Sequence, residues 1–89
     1  MPVNAEVFAP LRGLLAQLTI TAEAEIIPES HLEEDLGMDL ALDRHRLIKA
    51  INKRFAIDLE AETLFAELEA AGATVLELTK LIHDELELG

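Results

Sequence analysis

The hydrophobic positions fall into helical stripes, separated by one long stretch with no period. Phe8, Leu11, Leu15 and Leu18 recur at i, i+3, i+7 and i+10, which predicts a first helix ending near Leu18. Asn4 is a suitable N-cap for it. Pro10 either kinks this helix or sits in the first turn of one that starts later, and Gly13 weakens it. No period survives from Ile20 to Gly37. That stretch keeps Ile20, Ile26, Ile27, Leu32 and Leu36 among Thr, Glu and Pro, so it is expected to lie over the core. Pro28 holds Ile27 extended, Gly37 permits a tight turn, and Asp39 can cap the helix that follows.

A second helix is predicted from about Leu40 to Phe55, with Leu47, Ile48, Ile51 and Phe55 inward. Arg46, Lys49 and Lys53 share the opposite face, with His45 and Asn52 beside them. Ile57, Asp58 and Leu59 read as a short extended connector. A third helix spans about Glu60 to Ala70, with Leu64, Phe65 and Leu68 inward, and Gly72 stops it. Thr74 and Glu77 make a capping box for a last helix that runs to about Glu87. Val75, Leu78, Leu81, Ile82 and Leu86 are its expected inward residues. The sum is one all-α domain over residues 1–89, a four-helix bundle with a long ordered loop between helices one and two.

Composition narrows this further. The 89 residues include no Trp, Tyr or Cys, so the core must be built from Leu, Ile, Val and Ala around Phe8, Phe55 and Phe65. Without cysteine there is no disulfide framework, which fits a cytoplasmic protein. The first nine residues lack the basic and apolar pattern of a signal peptide. The net charge of −11 argues against nucleic-acid and anionic-membrane partners. That charge is uneven. Residues 40–55 carry Arg44, Arg46, Lys49, Lys53 and Arg54 against Asp43 alone, a net of four positive charges; the remainder carries fifteen negative ones.

Leu32-Glu33-Glu34-Asp35-Leu36-Gly37-Met38-Asp39, with Leu42-Asp43, Leu47, Ile48, Ile51 and Phe55 after it, resembles the acyl carrier proteins and the related carrier domains of polyketide and peptide synthases. Val75 to Ile82 matches their last helix, so the resemblance covers nearly the whole chain. It implies the four-helix carrier bundle. In that family the turn reads Asp-Leu-Gly-x-Asp-Ser-Leu, and the serine takes a phosphopantetheine whose thiol carries acyl groups. Here that serine is missing. Registered on Leu42-Asp43 and Phe55, Ala41 stands in its place and Leu40 is inserted; registered on Asp39, Leu40 stands there. The only serine, Ser30, lies back in the long loop. Two further departures are the basic second helix, where the family presents acids, and a stretch between Leu59 and Thr74 a few residues longer than usual.

The expected cofactor is therefore none, although the family would imply phosphopantetheine. No nucleophile–base pair, phosphate loop or metal-ligand spacing is visible, His31, His45 and His83 included, so the chain is read as a non-enzyme. Glu33-Glu34 and Glu85 with Glu87 read as solvated acids. The helix dipole accounts for Lys53 and Arg54 near the second helix's C-terminus, but not for Arg44 and Arg46 near its start. Met38, Leu40 and Leu42 read as core or core edge, or as a small apolar patch beside the basic face if exposed. The expected contact surface is Met38, Leu40, Arg44, His45, Arg46, Lys49 and Lys53, and its complement an acidic protein surface or a biosynthetic enzyme. The chain is expected to be a monomer, with weak head-to-tail pairing onto a second copy as an alternative. Two other roles stay open: a working carrier in fatty-acid, polyketide or related synthesis with an unconventional attachment site, and a regulatory subunit that imitates a loaded carrier.

Overall fold

A computed structural model of the chain describes residues 5–88; Asn4, the expected first cap, lies outside the described residues. Among the described residues there are four α-helices: α1 (Ala5–Leu18), α2 (Leu40–Phe55), α3 (Ala61–Ala71) and α4 (Val75–Leu88). The fold is an all-α four-helix bundle. α1 packs most extensively on α4, α2 packs on α1 and α3, and α3 packs on α4. No helix among the described residues is long and apolar enough to cross a membrane.

The inward stripe of α1 is Val7, Leu11 and Leu15, all buried, rather than one starting at Phe8. Phe8 and Leu18 are half-buried at its edges, and the Arg12 guanidinium lies 5.3 Å from the centre of the Phe8 ring. Pro10 does not delay the helix. It is the sixth helical residue, and its missing N–H removes one i→i−4 bond while the helix continues. In α2, Leu47, Ile48 and Ile51 are buried and Phe55 half-buried; in α3 the buried residues are Leu64, Phe65 and Leu68. α4 buries Val75, Leu78 and Ile82, leaves Leu81 half-buried, and exposes Leu86. Thr79 is also fully buried, because its hydroxyl donates to the Val75 carbonyl at 2.8 Å and needs no water.

Residues 19–39 contain only a 3-10 turn at Glu23–Glu25, yet the loop is stitched to the rest of the chain. Leu32 N–H donates to the Ala73 carbonyl (2.9 Å), while Val75 and Leu76 N–H donate to the Ser30 and Pro28 carbonyls (2.9 and 2.8 Å). The last two are N–H groups of the first turn of α4, which has no earlier residues to bond. The Thr74 hydroxyl accepts a third, from Glu77 N–H at 3.2 Å. Ile26, Leu32, Leu36 and Met38 are thereby pressed into the core.

The expectation that all the loop aliphatics pack inward fails at two positions. Ile20 is fully exposed and Ile27 half exposed. Ile26 is in extended backbone (φ −86°, ψ 115°), where successive side chains point to opposite sides, so burying Ile26 turns Ile27 out. At Ile20 the chain leaves α1 through Thr19, whose hydroxyl folds back on the Leu15 carbonyl (2.9 Å) and also accepts Thr21 N–H (3.2 Å).

After α2, Asn52 holds the connector as a strand partner would. Its amide donates to the Leu59 carbonyl at 3.2 Å and accepts Leu59 N–H at 2.8 Å. The helix itself ends on Ala56, which is left-handed at φ +56°. A side chain there is strained, and glycine is the residue suited to that conformation. Ala56→Gly is expected to raise stability by roughly 0.5–1 kcal/mol, or about 3–6 °C in Tm. Thermal unfolding followed by circular dichroism checks this, and an unchanged or lower Tm contradicts a left-handed Ala56.

Candidate functional site

The turn before α2 is built from its own backbone. Asp35 N–H and Leu36 N–H both donate to the His31 carbonyl, and Gly37 N–H donates to that of Glu33 at 3.1 Å. Gly37 ends this coil at φ +71°, a conformation glycine adopts without strain. Met38 N–H then donates to the Leu32 carbonyl at 3.0 Å, which draws the Met38 side chain inward. Met38 is 4% exposed. It is therefore a core residue and is removed from the expected contact surface.

Asp39 caps α2. Its Oδ1 accepts Ala41 N–H at 3.0 Å and Leu42 N–H at 3.4 Å, and its own N–H donates to the Asp43 carboxylate at 3.2 Å. The reciprocal bond from Asp43 locks the helix start. Leu40 and Ala41, the two positions that the resemblance sets against the carriers' serine, differ. Leu40 is half-buried against the core, whereas Ala41 is exposed. Leu42 is 80% exposed, so it is neither core nor core edge.

The basic residues divide into three settings. The Arg44 side chain is half-buried on the inner edge of α2, its guanidinium 5.7 Å from the centre of the Phe65 ring on α3. It lines a groove of about 370 Å³ between α2 and α3, with Leu40, Ala41, Phe65, Leu68 and Glu69. Arg44 is thus separated from the outward face. Arg46 is exposed, but its Nη2 donates to the Leu18 carbonyl at 2.7 Å, at the C-terminal end of α1 where carbonyls lack helical partners. His45, Lys49 and Lys53 are exposed, and neither lysine makes an ion pair among the described residues. Leu42, Lys49 and Lys53 lie at i, i+7 and i+11, a single outward stripe.

Ser30 cannot serve as an exposed acceptor. It is 5% exposed, and its hydroxyl oxygen accepts Ile27 N–H at 3.1 Å. Of the histidines, His31 donates its backbone N–H to Asp35 at 2.7 Å, and His83 Nε2 lies 3.1 Å from Glu87. Among the described residues no three of His, Cys, Asp or Glu are grouped to hold a metal ion. The exposed Leu42 and the Arg44–Phe65 contact were missed by sequence reasoning. Leu42 was legible in part, since it shares the helical face of Lys49 and Lys53, opposite the inward stripe. The Phe65 contact depends on how α2 and α3 pack. No known protein-family model matches the chain.

Removing the cap tests how the site is held. Asp39→Ala is expected to cost about 1 kcal/mol of stability, measured by urea unfolding. A loss below a few tenths of a kcal/mol contradicts the capping bonds.

Proposed function

We propose that this chain is an acyl-carrier-like protein that does not carry phosphopantetheine and acts by binding a partner through α2. The observation that carries the reading is the capped start of α2, which presents Ala41 and Leu42 to solvent where a carrier presents a hydroxyl. The burial of Ser30 supports it from the other side, because the one serine is already committed to a turn.

The outward stripe of α2 supports a binding role. Lys49 and Lys53 are exposed on a chain of net charge −11, and Leu42 stands with them as an exposed aliphatic anchor. Charge of this kind sets partner choice and encounter rate, while a central apolar residue contributes affinity. The partner implied is an acidic protein surface, such as one on an enzyme of fatty-acid, polyketide or related biosynthesis.

After incubation with coenzyme A and a broad-specificity phosphopantetheinyl transferase, the intact mass is expected to stay unchanged. An adduct would overturn the reading in favour of a working carrier with an unconventional attachment site. Copurification from the native host is expected to recover a biosynthetic enzyme, at least tenfold less with Lys49→Glu and Lys53→Glu together. Arg46 is left intact in that variant because it holds the end of α1. Equal recovery excludes α2 as the docking face.

A further inference from the structure

Among the described residues the two most exposed large aliphatic side chains are Ile20 and Leu42. They belong to different elements, and two hydrogen bonds bring those elements together. Arg46, one turn after Leu42 on the same face of α2, donates from Nη2 to the Leu18 carbonyl at 2.7 Å. On the other side of Ile20, the Thr21 hydroxyl donates to the Leu36 carbonyl at 3.5 Å, three residues ahead of the cap Asp39. Residues 18–21 are thus tied at one end to the second turn of α2 and at the other to the turn that leads into it. Between the ties, Thr21 N–H donates to the Thr19 hydroxyl at 3.2 Å and closes a bend over Ile20. Side chains on a helix lean toward its N-terminus, so the Arg46 side chain runs back over the turn that carries Leu42. Ile20 follows Leu18 by two residues, a span of at most about 7 Å. Both aliphatics therefore border the Arg46 side chain, one along α2 and one along the segment that Arg46 holds.

We propose that Ile20 and Leu42 together form the apolar centre of the docking face, and that the partner protein meets them with an aliphatic contact ringed by carboxylates. The proposal rests on the reading of α2 as a docking face and extends that face onto the end of α1. Exposed aliphatics scattered singly are ordinary, but two held against one arginine make a patch, to which the methylene stem of Arg46 adds. The ties on either side of Ile20 hold its backbone in place before any partner arrives, so docking pays little for ordering it. Charge sets the chemistry of the partner. Lys49 and Lys53 continue the stripe of Leu42 and Arg46, and His45 stands beside them, all exposed. An apolar centre with cations along its flank is complemented by an aliphatic contact flanked by acids. Arg46 is a positioning residue in this arrangement, because its guanidinium is already engaged with the Leu18 carbonyl.

The probe is a synthetic helical peptide with leucines on one face and glutamates on the others. It is titrated into the isotope-labelled full chain up to about 1 mM and followed by amide chemical shifts. A counterpart peptide with glutamine in place of every leucine keeps the charge and removes the apolar face.

The leucine peptide is expected to shift the amides of residues 18–21 together with those of residues 42–53, and to bind more tightly than its glutamine counterpart. Ile20→Gln and Leu42→Gln are each expected to weaken it about fivefold, the loss of one anchor at the centre of a contact. The double variant loses less than the product of the two single losses, because the side chains share one contact. Neither substitution lowers Tm, since both side chains lie in solvent. Leu86→Gln, at the exposed leucine of α4, is the control and leaves binding unchanged. A peptide weakened by Lys49→Glu with Lys53→Glu but indifferent to Ile20→Gln overturns the composite centre and leaves α2 standing as the docking face. No binding of the leucine peptide, equal binding of the two peptides, single losses that simply multiply, an equal loss with Leu86→Gln, or a fall in Tm on Ile20→Gln each overturns the proposal.

Discussion

The backbone clasp between residues 28–32 and 73–76 is the constraint on which the rest of the structure depends. Between the end of α1 and the start of α2 the chain runs through residues 19–39 with a single short turn of helix. Its buried peptide groups need partners that its own secondary structure does not supply. The first turn of α4 has the opposite deficit, N–H groups with no preceding carbonyls. The bonds from Val75 and Leu76 to Ser30 and Pro28, and from Leu32 to Ala73, meet both needs at once. With the loop anchored there, Ile26, Leu32, Leu36 and Met38 close one side of the core. The turn at Gly37 follows directly, and it fixes where Asp39 caps α2. The exposed position of Ala41 is thus set in part by a contact made more than thirty residues further along the chain.

The helices were legible because period and punctuation agree. Asp39 caps α2, Gly72 ends α3, and Thr74 opens α4, each where the residue type predicts. The inward residues of α3 were also readable, since one apolar stripe leaves no choice of face. The loop was legible only as ordered. Which of Ile26 and Ile27 goes in depends on where the anchored carbonyls fall, and local sequence holds no record of that. Met38 is core, as one of its two sequence readings had it, and leaves the expected contact surface because its N–H bond to the Leu32 carbonyl turns the side chain inward. In α1 Leu11 and Leu15 were read correctly as inward, and only the first position of the stripe was misplaced, at Phe8 instead of Val7. Val7 fits the interior, and Phe8 is large enough to remain at the edge under Arg12.

The basic character of α2 separates into parts with different physical origins. Arg44 belongs to the packing of α2 on α3 through its contact with Phe65. Arg46 serves α1, where a cation at the C-terminal carbonyls is favoured by their partial negative charge. Lys53 and Arg54 stand in the last turn of α2 and gain from its own dipole. A count of five positive charges therefore overstates what is left for a partner.

What remains is Lys49, in the middle of the helix where the dipole contributes little, and Leu42, an aliphatic side chain 80% exposed one turn before Arg46. Neither has a reason within the bundle. Leaving a leucine in water forgoes roughly 1.5–3 kcal/mol of burial, a sizeable fraction of the stability of a small domain. A single exposed leucine is commonplace, but this one shares a helical face with Lys49, which makes no ion pair among the described residues, on a chain that is acidic nearly everywhere else. Packing and the helix dipole account for neither residue, so the proposed docking role of α2 rests on Leu42 and Lys49 rather than on its arginines.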